Sequence, residues 1–226
     1  MPPRRLRPAL ALALLSLGAG CGDSGGGDDT GGGTSGGDAT GEPSPTSGAD
    51  ADTSAGPTST ADGGDEHSPV WDDPYCFPVH GPMKWPEPLP SHEAEVVALV
   101  NAARASGGDC GSMGTFGPSA PLTIDASLHC AARVHSKDMA DRMFFDHTNP
   151  DGESPFDRMA RAGYGSFKTQ GENIAMGTLT PAATVDGWLA SDGHCANMLN
   201  PEYEQIGVGV YEGGSFYWTQ TFAAKF

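Results

Sequence analysis

The chain has 226 residues with 29 acidic against 12 basic side chains, a net charge of −17. Such a balance excludes the clustered Lys and Arg that phosphate recognition needs, so no nucleic-acid partner is expected. The acidity is uneven. Residues 22–70 carry ten acidic and no basic side chains, as expected of a solvated, self-repelling segment.

Arg4, Arg5 and Arg7 open the chain, and an apolar run from Ala9 to Leu17 follows. The run is too short to cross a bilayer as a mature helix and reads as an export signal. It ends at Leu17-Gly18-Ala19-Gly20-Cys21, which resembles a bacterial lipobox. That resemblance implies lipidation of Cys21, so that the membrane is met only through the N-terminus. Gly18 departs from the larger apolar residue usual there, and cleavage near Ala19-Gly20 to release a soluble protein is the alternative. Residues 1–21 are therefore assigned to the signal.

Residues 22–66 contain no Lys, Arg, Phe, Trp, Tyr, Leu, Ile or Val. A segment of that composition cannot bury enough apolar surface to offset the entropy of ordering it. It is expected to be a tether with a root-mean-square reach of roughly 35–40 Å. Residues 67–90 are rich in Pro and carry Trp71, Tyr75, Phe77 and Trp85, which predicts an arm packed on the domain without regular structure. A single domain over residues 91–226 is long enough to bury its own core.

Within that domain, Ser91 is the expected N-cap of a first helix to about Ala105, with Glu93 and Glu95 in the first turn. Val96, Val97, Val100 and Ala103 share one side. Asp125 is the expected cap of a second helix to about Arg142, in which Leu128, Ala131, Ala132, His135 and Met139 keep helical spacing. There His135 is expected to be a packed or hydrogen-bonded core residue. Ser154-Pro155 and Thr180-Pro181 predict two further helix starts, the first ending at Gly163 and the second turning Val185, Trp188 and Leu189 inward. Residues 205–212 and 215–223 read as strands joined across Gly213-Gly214. Helices interspersed with strands predict an α+β domain.

Four cysteines remain beside Cys21: Cys76, Cys110, Cys130 and Cys195. An even number in an exported chain favours disulfides, with three pairings open. No two have the close spacing of a zinc knuckle or redox pair. Because Cys110 follows the first helix and Cys195 lies inside a Gly193–Asn197 motif, the preferred assignment is Cys110–Cys195, leaving Cys76–Cys130.

Three segments carry the candidate chemistry: Phe144-Phe145-Asp146-His147, Gly171-Glu172-Asn173-Ile174-Ala175 and Gly193-His194-Cys195-Ala196-Asn197. Two imidazoles and a carboxylate are ligand types for a divalent ion such as zinc, and equally a general acid/base set. Asn173 and Asn197 are expected to satisfy backbone groups. There is no His-Glu-x-x-His helix, since His92-Glu93 is followed by Val96, and no Gly-x-Ser-x-Gly elbow or Walker loop.

With Gly207-Val208-Gly209-Val210 and Tyr217-Trp218-Thr219-Gln220 behind them, these motifs resemble the CAP superfamily over roughly Ser91 to Phe226, in its bacterial secreted branch. The resemblance implies an αβα sandwich with an antiparallel central sheet flanked by helices. It also implies a cavity holding His147, Glu172 and His194. The family's second cavity Glu, three residues after a helix tryptophan, falls here on Ser191, and Asp192 lies one helical step further round. CAP domains share no single agreed reaction. The leading expectation is a monomeric cell-envelope or secreted protein that binds an extracellular lipid, glycan or protein. The alternative is a metal-assisted hydrolase of peptides or envelope polymers, with Glu172 as base and His147 and His194 holding the ion.

Overall fold

A computed structural model describes residues 68–226. The export signal, Cys21 and the tether lie outside the described residues. The first described segment is the Pro-rich arm, which makes two short 3-10 turns, Pro69–Asp72 and Phe77–Val79. It buries Trp71, Cys76, Val79 and Trp85 in the main core. A disulfide joins Cys76 to Cys130, with 5.5 Å between the Cα atoms.

Five helices follow: α1 (Leu89–Ser106), α2 (Ala126–Arg142), α3 (Pro155–Arg161), α4 (Pro181–Leu189) and α5 (Asp192–Leu199). Three of their starts follow from local chemistry. Asp125 accepts from the Ser127 and Leu128 amides, Ser154 and Asp157 form a reciprocal capping box, and Thr180 accepts from the Ala183 amide. Each satisfies amides that have no partner inside the helix.

The start of α1 differs from expectation. The helix begins at Leu89, and Ser91 donates its hydroxyl to Glu87 Oε2 at 2.6 Å instead of capping. Pro90 sits in the first turn, where a missing N–H costs nothing. Glu93 is thereby moved out of the exposed first turn and is buried.

Two-residue strands β1 (Gly108–Asp109) and β2 (Thr115–Phe116) form a small hairpin. The main sheet has β3 (Thr123–Ile124), β4 (Phe167–Met176), β5 (Gln205–Glu212) and β6 (Phe216–Lys225), in the order β3-β5-β6-β4. The three long strands are antiparallel, but the short β3 pairs parallel with β5, so the sheet is mixed at one edge. α2 lies on one face, and α1, α4 and α5 pack on the other, giving the αβα layering.

Gly207 and Gly209 set how closely α2 approaches. A Cβ at Gly207 would lie 2.1 Å from the Leu128 carbonyl carbon, and one at Gly209 would lie 2.4 Å from that of Ala132. Only glycine allows helix and strand backbones that close. Ser136 and Thr221 use the approach, donating hydroxyls to the Gly209 and Leu128 carbonyls.

β3 pairs with only the first two residues of β5. Further along that edge the Val210 amide donates to Glu93 Oε1 at 3.2 Å. The same carboxylate accepts from Trp85 Nε1, from Arg133 at 2.6 Å, and meets His129 Nε2 at 3.1 Å. Trp71 and Trp85 both flank the Arg133 guanidinium. Burial pushes Glu93 up, but Arg133 and His129 together hold it below the usual carboxylate range. The arm thus seals one edge of the sheet over an ionic centre.

Candidate site at the edge strand

At the opposite edge stands β4, whose alternating side chains put Glu172 and Asn173 on opposite faces. Glu172 points to the α2 side. Its Oε1 lies 2.8 Å from His147 Nδ1, and its Oε2 accepts from Arg158 at 2.8 Å. Asn173 points to the α5 side, where its amide donates to the His194 carbonyl and to Gln220 Oε1. Asn197 closes the link, donating to Asn173 Oδ1 and to the Glu172 carbonyl. One strand therefore holds the His147 loop on one face and α5 on the other.

The loop bearing His147 begins where α2 ends. Met143 adopts the left-handed conformation, φ 54°, and the Phe144 amide returns to the Met139 carbonyl. Beyond His147, Asn149 Oδ1 accepts from the Asp151 and Glu153 amides and folds the chain back into α3. Two buried side chains hold this loop from beneath. His135 Nε2 donates to the Asp146 carbonyl at 3.0 Å. Arg158 donates to the carbonyls of His147 and Glu153 while it binds Glu172.

The two loop-side histidines are electrostatic opposites. Burial pushes His135 down to about 4, outweighing the attraction of Glu172 at 3.9 Å. His147 is raised, chiefly by its hydrogen bond to Glu172. Its side chain is 47% exposed while that of Glu172 is 2% exposed, so the imidazole is the accessible end of the pair. His194 is half-buried and lowered, first by burial and then by the nearby charge of His147.

A divalent ion held by His147, His194 and Glu172 together does not fit this arrangement. Each Glu172 oxygen already faces a hydrogen-bond partner, one of them a buried guanidinium whose positive charge opposes a cation there. Among the described residues no three His, Cys, Asp or Glu side chains stand where they could hold an ion.

A sequence profile of the CAP family, the cysteine-rich secretory protein family, matches residues 97–222. The chain belongs to the CAP family. It is 44% identical over 140 residues to the uncharacterized protein YkwD of Bacillus subtilis, covering 62% of this chain and 50% of that protein. It is 32% identical over 142 residues to the uncharacterized membrane protein YlbC of the same organism, covering 63% and 37%. The chain thus spans about half or less of the length of these relatives. A crystal structure of an extracellular protein containing an SCP domain from Bacillus anthracis aligns with a TM-score of 0.55 and 32% identity, covering 65% of this chain and 44% of that one. Among the described residues no helix is long and apolar enough to cross a membrane.

In this CAP domain Ser191 stands at the N-cap of α5 without a capping hydrogen bond. Asp192 turns away from the edge strand. It accepts from the Ser112 amide at 2.9 Å and from the Ser112 hydroxyl, which hold it below the usual carboxylate range. A second disulfide, Cys110–Cys195, with 5.5 Å between Cα atoms, ties the same loop to α5 beside His194. Arg158 is the residue that the sequence reading missed. Its faint signal is a cation four residues before the buried Ala162, on the inward stripe of α3.

Proposed function

We propose that this CAP domain is an extracellular binding module, recognising a lipid, glycan or protein through the His147, Glu172, His194 and Ser191 edge. The observation that carries the reading is the state of Glu172. A carboxylate at 2% exposure, held between a guanidinium and an imidazole, is shielded from water, whereas the exposed imidazole is open to a ligand. That favours recognition over hydrolysis, which asks for a general base within reach of the proton it removes.

Export is supported by two disulfides, which persist in oxidising compartments, and by the relative described as extracellular. Anchoring through lipidated Cys21 belongs to the same proposal. It predicts partition of the protein into detergent phase and release by Cys21→Ser, and a wild type that stays in the aqueous phase defeats the anchor alone. The binding reading is tested with the full chain as a monomer, titrated with soluble glycan oligomers and with phospholipid vesicles. Saturable binding that His147→Ala and His194→Ala both abolish supports it. Binding unchanged in both variants places recognition elsewhere, and release of a hydrolysed product that needs Glu172 favours the enzyme.

A further inference from the structure

Buried Arg158 has no part in contacting a ligand, yet it bonds both the loop that presents His147 and the β4 carboxylate that meets its ring. We infer that Arg158 is a positioning residue: by holding Glu172 Oε2 it directs Oε1 to His147 Nδ1, leaving Nε2 as the free, outward nitrogen that meets a ligand. The inference rests on the binding reading above and adds the chemistry of what is bound.

Arg158 has only donors, so the atom of residue 172 that faces it must be an acceptor. The guanidinium is 1% exposed and is held by two further bonds, to the His147 and Glu153 carbonyls, beside the one to Glu172. A carboxylate then offers a second acceptor to His147. A neutral imidazole answering an acceptor must carry its proton on Nδ1. Nε2 is left with its lone pair, on a side chain that is half exposed and has no other hydrogen-bond partner among the described residues. His135 supports the same pose by holding the Asp146 carbonyl, one residue before His147. While the ring is neutral, the ligand class that fits a bare Nε2 is a hydrogen-bond donor: a hydroxyl, an amide N–H or an ammonium group.

The Arg158 role is separable from that of the carboxylate by replacing Glu172 with its amide. In Glu172→Gln the side chain has one acceptor and one donor end. Arg158 captures the oxygen, the NH₂ turns to His147, and the imidazole must move its proton to Nε2. Nitrogen-15 spectra of the full chain labelled at histidine, taken at about pH 9 where imidazoles are neutral, read this directly. His147 is assigned by its loss in His147→Gln. The expected result is an Nδ1–H ring in the wild type, an Nε2–H ring in Glu172→Gln, and return of the Nδ1–H form in Glu172→Gln/Arg158→Met, where the amide rotates back. An Nε2–H ring in the wild type, or no exchange in Glu172→Gln, overturns the inference. Those two samples decide it even if the double variant does not fold. The spectra need no ligand, so a failed binding screen and a failed positioning role are distinguishable results.

Discussion

The two edges of the central sheet carry the same three side-chain types and use them differently. At the β5 edge, Glu93 sits with Arg133 and His129 under Trp71 and Trp85 of the arm. At the β4 edge, Glu172 sits with Arg158, His135 and His147. The first centre is closed, with the carboxylate, guanidinium and imidazole all buried. The second is closed below and open above, since His147 alone reaches solvent. A buried carboxylate with an arginine partner is therefore no mark of a ligand site by itself. What distinguishes the β4 edge is one exposed member in an otherwise fixed group.

The largest expected effect separates the centres by stability. Glu93→Ala leaves Arg133 buried without its counter-charge, and removal of one member of a buried pair costs about 3–5 kcal/mol. Urea unfolding of the variant checks this. A loss no larger than that of a typical surface substitution means that the arm does not seal the centre.

Next comes the covalent tie of the arm. Cys76→Ser/Cys130→Ser opens a loop of sequence separation 54, worth about 2–4 kcal/mol through the unfolded chain. Because the bond lies at the β5 edge, the histidine resonances of the β4 edge should stay where they were. If His147 shifts as much as His129, the two edges are coupled and the comparison fails.

Legibility follows the same divide between local and distant partners. The caps at Asp125, Ser154 and Thr180 were readable because each side chain bonds an amide within three residues. The α+β class and the β5–β6 hairpin were readable from spacing and the paired glycines. Ser91 misled, because a good capping residue beside Pro90 says nothing about which of two adjacent turns begins the helix. The parallel β3 is two residues long, too short for any period to register. Glu93 and Arg158 were illegible for another reason: their partners lie 40 and 14 residues away, and only the fold brings them together. For the β4 edge, motif order pointed to His147, Glu172 and His194. The guanidinium that occupies the carboxylate left no comparable mark.

The third effect depends on pH and belongs to the floor of the open site. His135 titrates near 6.5 when unfolded and at about 4 in the fold. Between those values the unfolded chain binds more protons, so stability rises with pH across this window. The contribution is complete above pH 6.5 and falls by about 3 kcal/mol as pH drops through 4. His135→Gln can still donate to the Asp146 carbonyl but cannot titrate. Its stability should vary less with pH than that of the wild type over the same interval, measured by urea unfolding at each pH. Parallel profiles for the two proteins mean that His135 is not buried neutral.

The smallest effect has the opposite sign and comes from the exposed histidine on the same carboxylate. His147 is raised in the fold because its hydrogen bond to Glu172 favours the charged ring. A raised group contributes most below its unfolded pKa, and the contribution fades as pH climbs through the folded one. His147→Gln should therefore cost most in mildly acidic solution and least in alkali. Its size stays within about 1 kcal/mol, since exposure to water screens the pair. The wild type and variant are compared by urea unfolding at several pH values. A cost that grows with pH means that His147 meets Glu172 only as a neutral donor, and the charged form has no place in the site. A cost of several kcal/mol at every pH means that His147 is structural, like His129 at the other edge, and the contrast between the closed and open centres no longer holds.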